Sequence, residues 1–502
     1  MPCRHLRLSG PFAHTVTFTH LRSLPDPGFP GSGSSQVTAK IWSNRTWCEY
    51  RRSRVGSARR GANCTPLQCL YWCPAGEPGS QSSATGKVAG AAIARAEPYG
   101  KSSGPASVSV LVGLTRGSQL TATVFDPARF RSVQLFDDEV NEILRFCRRS
   151  LSSGSLSGGP LVEEFERCFA ASSRLPYAVA VSSGTDALEA ILRASGVAGR
   201  KVLVPTNTFA ATAFAVVRAG AQPVFVDMDP RTLAPSPAQV ATALDNHPGD
   251  VAAFVLVHVG GFMGDSTKEL AELCSSRDVA LVEDAAHAHG CAYRGDAPGT
   301  WSSAAAYSFF ATKVMTSAEG GMVVTKREEV ASFARSYRDQ GRDPNDPLIN
   351  RMIGTNARMS ELHAAVGLVE LRHLQSVLAV RRRIANWYNA AIGDLLAVTV
   401  VSPVEDCAVN YYKYIVLFDR AEMKSAFRAF ARAKGLSLPS GVYDVPLHRQ
   451  PVFAGVHHGV PLRAAEEFCS RHVALPVGRT MLQDDADGVV AVLRDFLLTH
   501  RG

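Results

Sequence analysis

Seven short apolar runs separated by helical patterns constrain this 502-residue chain more than any other feature. They are Tyr177–Val181, Val202–Val204, Pro223–Val226, Phe254–Val257, Val279–Val282, Ala304–Ser308 and Met322–Val324. A strand with one wet face alternates apolar and polar residues, whereas a strand covered on both faces is continuously apolar. These runs are of the second kind. With helices between most of them, they predict an α/β fold on a seven-stranded, mostly parallel sheet with both faces covered. Helical patterns at Asp137–Arg149 and Leu161–Ala171 precede the first run, and a long one at Ser360–Ala390 follows the last. After about residue 395 the texture changes. Tyr412–Phe418 reads as a strand, Ala421–Ala433 as a helix and Asp484–Leu498 as a closing helix. The expected organisation is a large domain over 133–392 and a smaller α+β domain over 393–502.

Residues 1–125 differ from the rest. They are rich in Ser, Gly, Arg and Pro, and they lack sustained helix or strand periodicity. The stretches 28–35 and 76–86 read as flexible coil. Residues 1–131 hold 16 Lys and Arg against 5 Asp and Glu, so the chain's formal +8 leaves about −3 for the remainder. Basicity confined to the start argues against nucleic acid as a partner of the globular part. An Arg- and Ser-rich, acid-poor start resembles an organelle transit peptide; a disordered extension is the preferred reading. No secretory pattern and no apolar run of 18 or more residues is present, so no membrane span is expected. The expected compartment is the cytoplasm, or an organelle if the extension directs import. Cys64, Cys69 and Cys73 cluster without a histidine pattern and read as incidental thiols rather than a zinc site. The six cysteines from Cys147 onward read as reduced thiols.

The chemistry centres on two residues. Asp284 closes the fifth run, and Lys313 follows the sixth, shortly before Glu319-Gly320-Gly321. Lysine is scarce, 10 against 43 arginines, and Lys313 is one of two between residues 300 and 350. An amine in apolar surroundings can hold an aldehyde as a Schiff base. Desolvation and nearby positive charge would lower it from its ordinary pKa of about 10.4. A carboxylate at strand depth needs a cation, which a protonated pyridine supplies. The pair fits pyridoxal 5′-phosphate (PLP). Ser183, Gly184, Thr185 and Asp186 follow the first run and open a helix, where backbone amides and the Thr185 hydroxyl can meet a phosphate. A plain helix cap explains the same residues. Phe209, after the second run, could stack on a planar ring or pack in the core. His287 could hydrogen-bond a phenolate oxygen, or lie with His289 in an exposed loop. Asn356 reads as part of a helix start. Arg338, Arg342, Arg351 and Arg358 read as solvated, with anionic substrate groups as the alternative partners.

Taken in order, these residues resemble the DegT/DnrJ/EryC1/StrS family, PLP-dependent sugar aminotransferases of fold type I. The resemblance runs from about Phe136 to the C-terminus. Besides the segments above, it is carried by Gly159-Pro160, Phe165-Glu166, Pro205–Thr212, Val257-His258, Asn356–Ala365, Tyr443, Pro446–His448 and Leu475-Pro476. It implies that Lys313 binds the cofactor covalently and shuttles the proton, and that Asp284 pairs with the pyridine nitrogen. His287 would stand near the 3-oxygen and Phe209 would stack on the ring. Gly184, Thr185, the Asp186 amide and Ser308 would hold the phosphate. Asn356 would reach the phosphate of a neighbouring subunit, which implies a homodimer with shared sites. The implied activity moves an amino group from glutamate or glutamine to a keto sugar, nucleotide-linked in the leading reading. A cyclitol or aminohydroxybenzoate branch stays open because of His287. A sugar dehydratase would carry His in place of Lys313, and a non-catalytic regulator would lose Lys313 or Asp284. His287, His363 and Glu370 stand where many members have Gln, and the N-terminal extension has no counterpart in the family.

Overall fold

The computed structural model describes residues 39–43, 46–50, 125–131, 133–456 and 459–500. Two compact units divide the chain, Met1–Val112 and Gly113–Gly502. The described part of the first unit is an antiparallel pair, Ala39–Ser43 with Thr46–Tyr50. That pairing falls in the stretch whose composition shows no strand periodicity. The coil expected at 28–35 and 76–86, the Cys64, Cys69 and Cys73 cluster, and most of the expected extension lie outside the described residues.

The second unit is built on seven strands: β1 (Tyr177–Val181), β2 (Lys201–Pro205), β3 (Gln222–Val226), β4 (Val251–Val257), β5 (Ala280–Asp284), β6 (Ala304–Ser308) and β7 (Gly321–Thr325). Their spatial order is β1-β7-β6-β5-β4-β2-β3. Strand β7 runs antiparallel to both neighbours, and the other pairings are parallel. Continuous apolarity has the expected cause. In β1, Val179 and Val181 enter one apolar cluster while Ala178 and Ala180 enter another on the opposite face. All seven residues of β4 are buried.

Parallel neighbours need crossovers. Helices α1 (Asp137–Ser153) and α2 (Pro160–Ser173) precede the sheet, and α3 (Gly184–Ala194), α4 (Ala210–Arg218), α5 (Pro237–Asp245) and α6 (Thr267–Ser276) connect β1 to β5 in turn. No helix separates β6 from the antiparallel β7, so their link is a turn, and Lys313 lies in it. This topology brings the carboxyl ends of β1, β2, β5 and β6 to one edge of the sheet, where open α/β sheets bind ligands.

Helix α7 (Glu328–Arg338) follows β7. Helix α8 (Glu361–Ile392) then runs for 32 residues, about 48 Å at 1.5 Å per residue. Ser360 caps α8, its Oγ accepting from the His363 amide at 3.2 Å. Beyond α8, β8 (Val398–Val400), β9 (Tyr414–Phe418) and β10 (His472–Leu475) form an antiparallel sheet in that order. It is accompanied by α9 (Ala421–Ala433), α10 (Arg463–Arg471) and α11 (Gln483–Thr499). Arg381 of α8 is buried and donates to the carbonyls of Asn410 (3.0 Å), Tyr411 (2.6 Å), Tyr412 (3.1 Å) and Val477 (3.2 Å). That fork ties the segments before β9 and after β10 to the long helix. Among the described residues no helix is long and apolar enough to cross a membrane.

Candidate active site

Asp284, at the carboxyl end of β5, is 5 % exposed. Its Oδ2 accepts from Thr212 Oγ1 at 2.8 Å and its Oδ1 from the Ala286 amide at 3.1 Å. Both partners are neutral. Thr208 Oγ1 lies 2.9 Å from Thr212 Oγ1 and holds that hydroxyl in place. A buried carboxylate with only neutral donors remains short of a cation. Lys313 Nζ stands 5.2 Å from the centroid of the Tyr412 ring. Burial lowers its pKa to about 8, with Asp284 opposing the shift.

His287 is buried, and its Nδ1 accepts from the Gly260 amide at 3.3 Å. This bond leaves the proton on Nε2, which faces Tyr443 Oη at 3.3 Å. The imidazole stacks on Tyr412, with centroids 4.2 Å apart. Burial first, and then the charges of Lys313 and Lys413, hold its pKa well below the ordinary value, so the ring is neutral at pH 7. His289 is fully buried too, and the exposed-loop alternative fails for both histidines. Asn410 clamps their loop by donating to the carbonyls of His287 (2.7 Å) and His289 (3.0 Å).

The turn after β1 forms a cradle. Ser183 caps α3, its Oγ accepting from the Asp186 amide at 3.1 Å. The Asp186 carboxylate accepts from the Ser182 and Ser183 hydroxyls and pairs with Arg218 at 3.2 Å. The Asp186 amide is therefore engaged by the cap, whereas Gly184 and Thr185 occupy the first turn, where helical amides lack intrahelical acceptors. A Cβ on Gly184 would lie 2.7 Å from Ser308 Cβ, and one on Gly321 would lie 2.3 Å from the Ser183 carbonyl oxygen. The start of α3, the end of β6 and the start of β7 thus pack closer than any side chain permits. Glycine is required at 184 and 321 for steric reasons.

Phe209 opens α4 and is 61 % exposed, its ring 6.0 Å from that of Tyr443. The core-packing alternative is thereby excluded. Asn356 is exposed and bridged through its backbone to Asp339; among the described residues, no hydrogen bond joins it to Lys313, Asp284 or His287. The four arginines pair with carboxylates, Arg338 with Glu166, Arg342 and Arg358 with Asp339, and Arg351 with Asp343.

Sequence reasoning assigned no role to Thr212, Asn410, Tyr412, Lys413 or Tyr443. Thr212 and Tyr443 lie in segments that carry the resemblance, Tyr412 and Lys413 lie in the Tyr412–Phe418 strand pattern, and Lys413 is one of ten lysines. Glu370, where the family commonly has glutamine, accepts from the Thr316 amide at 3.3 Å in the turn that holds Lys313. Burial raises its carboxyl to about 7, against the opposing effects of that amide and Arg479.

These groups fit PLP. A half-buried amine is available for the aldehyde, and a buried carboxylate with neutral partners for the pyridine nitrogen. A helix start closed in by two glycines is available for the phosphate. Comparison with known proteins agrees. The "Pleiotropic regulatory protein" of Geobacillus stearothermophilus is 33% identical over 359 residues, covering 71% of this chain and 94% of the relative. The dTDP-3-amino-3,4,6-trideoxy-alpha-D-glucose transaminase of Streptomyces venezuelae is 33% identical, with coverage of 69% and 90%. The crystal structure of DesI in the presence of its TDP-sugar product superposes with a TM-score of 0.68 at 32% identity, covering 76% of this chain and 97% of that one. A model of the DegT/DnrJ/EryC1/StrS aminotransferase family matches residues 137–494, and the chain belongs to that family of PLP-dependent enzymes.

Proposed function

We propose that this aminotransferase moves an amino group from glutamate or glutamine to a nucleotide-linked keto sugar, with Lys313 and Asp284 at the centre of the reaction. The observation that carries this reading is the placement of a half-buried, partly neutral amine in the field of a buried carboxylate at one sheet edge. When bound, PLP supplies an electron sink for bonds at the substrate carbon. Lys313 Nζ would hold the cofactor between turnovers and carry the proton to and from the reacting carbon. Asp284 keeps the pyridine nitrogen protonated. His287 would donate from Nε2–H to the 3-oxygen, a role that needs the proton on Nε2, where the Gly260 amide on Nδ1 leaves it. Phe209 covers the ring. The Gly184 and Thr185 amides, the Thr185 hydroxyl and Ser308 bind the phosphate.

Asn356 completes the site of a second subunit in a homodimer. Its segment carries Leu348, Ile349 and Ile353, all exposed, and such residues gathered in one loop suit a partner surface. The sugar assignment rests on relatives whose names specify a nucleotide sugar. Retention of Lys313 weighs against the dehydratase, and retention of both residues weighs against a non-catalytic regulator.

The pH dependence of cofactor uptake follows from Lys313. Only the neutral amine attacks an aldehyde, and burial brings this one to about 8. The rate at which cofactor-free protein takes up PLP, followed by absorbance, rises as pH climbs through about 8 and then levels off. An unburied lysine would level off more than two pH units higher, near its ordinary value of about 10.4.

The substrate is tested by incubating the PLP-bound protein with glutamate or glutamine and a panel of keto sugar nucleotides and keto cyclitols, with mass spectrometry as readout. Amination of a keto sugar nucleotide is expected. Amination of a cyclitol alone would overturn the sugar assignment and leave the aminotransferase chemistry standing.

A further inference from the structure

A second amine stands beside Lys313, and none of the roles above employs it. Lys413, just before β9, places its Nζ 5.0 Å from the centroid of the Tyr412 ring, the ring that Lys313 Nζ approaches at 5.2 Å. Its position is fixed. Its own amide donates to the Gly260 carbonyl at 3.2 Å, and Arg381 holds the Tyr412 carbonyl.

The surroundings of Lys413 are cationic. Burial first, and then the charges of Arg381, Lys313 and Arg428, bring its pKa down to about 8, with Asp444 the opposing charge. Asp444 is already committed, since Lys424 contacts it at 2.7 Å and Arg428 at 3.5 Å. Among the described residues Lys413 itself makes no ion pair. Arg428 is also under-used. Its Nε and Nη2 are buried without a hydrogen-bond acceptor, although Nη2 lies within ion-pair distance of Asp444. Buried guanidinium nitrogens without an acceptor, as at Arg428, are unfavourable in the free protein, and an incoming anion relieves that.

We propose that Lys413 binds a carboxylate of the amino-acid donor, and of the oxo acid the donor becomes, on the Tyr412 side of Lys313. The inference rests on the aminotransferase reading and adds to it the residue that recognises the donor. Lys413 shares one aromatic ring with Lys313, so it lies beside the carbon that exchanges nitrogen. The donor's carboxylates are a few bonds from that carbon, whereas a sugar nucleotide's diphosphate is at least a sugar ring away. A compact ammonium suits a carboxylate approached from one side.

The test titrates PLP-loaded wild type, Lys413→Met and Lys413→Arg with 2-oxoglutarate by calorimetry, and measures KM for glutamate and for the sugar substrate. The cofactor absorbance of each variant serves as the folding check. Lys413→Met should weaken 2-oxoglutarate and raise KM for glutamate by about tenfold, as for loss of one charge-assisted contact. Lys413→Arg should stay within about threefold, because the charge is kept. KM for the sugar nucleotide should not move. Wild-type affinity in Lys413→Met overturns the proposal. So does a loss confined to the sugar nucleotide, which would assign Lys413 to the diphosphate. Wild-type protein that shows the cofactor band yet binds no dicarboxylate overturns the proposal alone. Wild-type protein with no cofactor band overturns the aminotransferase reading and this proposal together.

Discussion

Lys313→Ala is expected to fold normally, to lack the Schiff-base absorbance band, and to lose amination activity by a factor of about a thousand or more, the combined weight of covalent attachment and proton transfer. Folding should survive because the Lys313 ammonium is desolvated in the native state, which already opposes its charge. Its contact through Nζ is with the face or rim of one aromatic ring. Thermal unfolding should therefore shift little, or upward. Lys313→Arg should not rescue the rate, since a guanidinium stays protonated and cannot attack an aldehyde. Spectra and single-turnover rates of the purified variants decide the matter. A Lys313→Ala enzyme that aminates at the wild-type rate would remove Lys313 from the mechanism.

Asp284→Asn should give the opposite signature. Asparagine keeps the shape and an oxygen for Thr212 or the Ala286 amide, so the loop is expected to hold. What would disappear is the negative charge proposed to pair with the pyridine nitrogen. Removing one partner of a buried charge pair costs about 3 kcal/mol, roughly a hundredfold in rate. Lys313 is untouched, so the Schiff-base band should remain while kcat falls. A variant that retains the band and also retains wild-type kcat would show that Asp284 has another purpose. The two variants together separate attachment of the cofactor from its electronic activation.

The sheet was legible because burial on both faces is written locally. Ala253, Val255 and Val257 serve one face of β4 while Phe254 and Leu256 serve the other, and all of them had to be apolar. Gly184 and Gly321 were legible as parts of motifs, but their steric reason was not, since the atoms they must avoid belong to Ser308 and Ser183 on other elements. Phe209 and His287 each had two readings, and exposure decided between them. No local pattern could show that Phe209 faces outward beside Tyr443 while His287 is enclosed by Tyr412 and Gly260.

The amino-acid sequence by itself determined the α/β class, the family, and the identities of Asp284 and Lys313, because strand burial and reactive side chains are properties of short segments. The tertiary structure decided what surrounds them. Tyr412, Asn410, Lys413 and Tyr443 return to the sheet edge more than a hundred residues after Asp284, with Asn410 and Tyr412 held by an arginine from α8. Proximity of that kind comes from packing between distant elements, and it also sets the neutral state of His287 and the lowered pKa of Lys313.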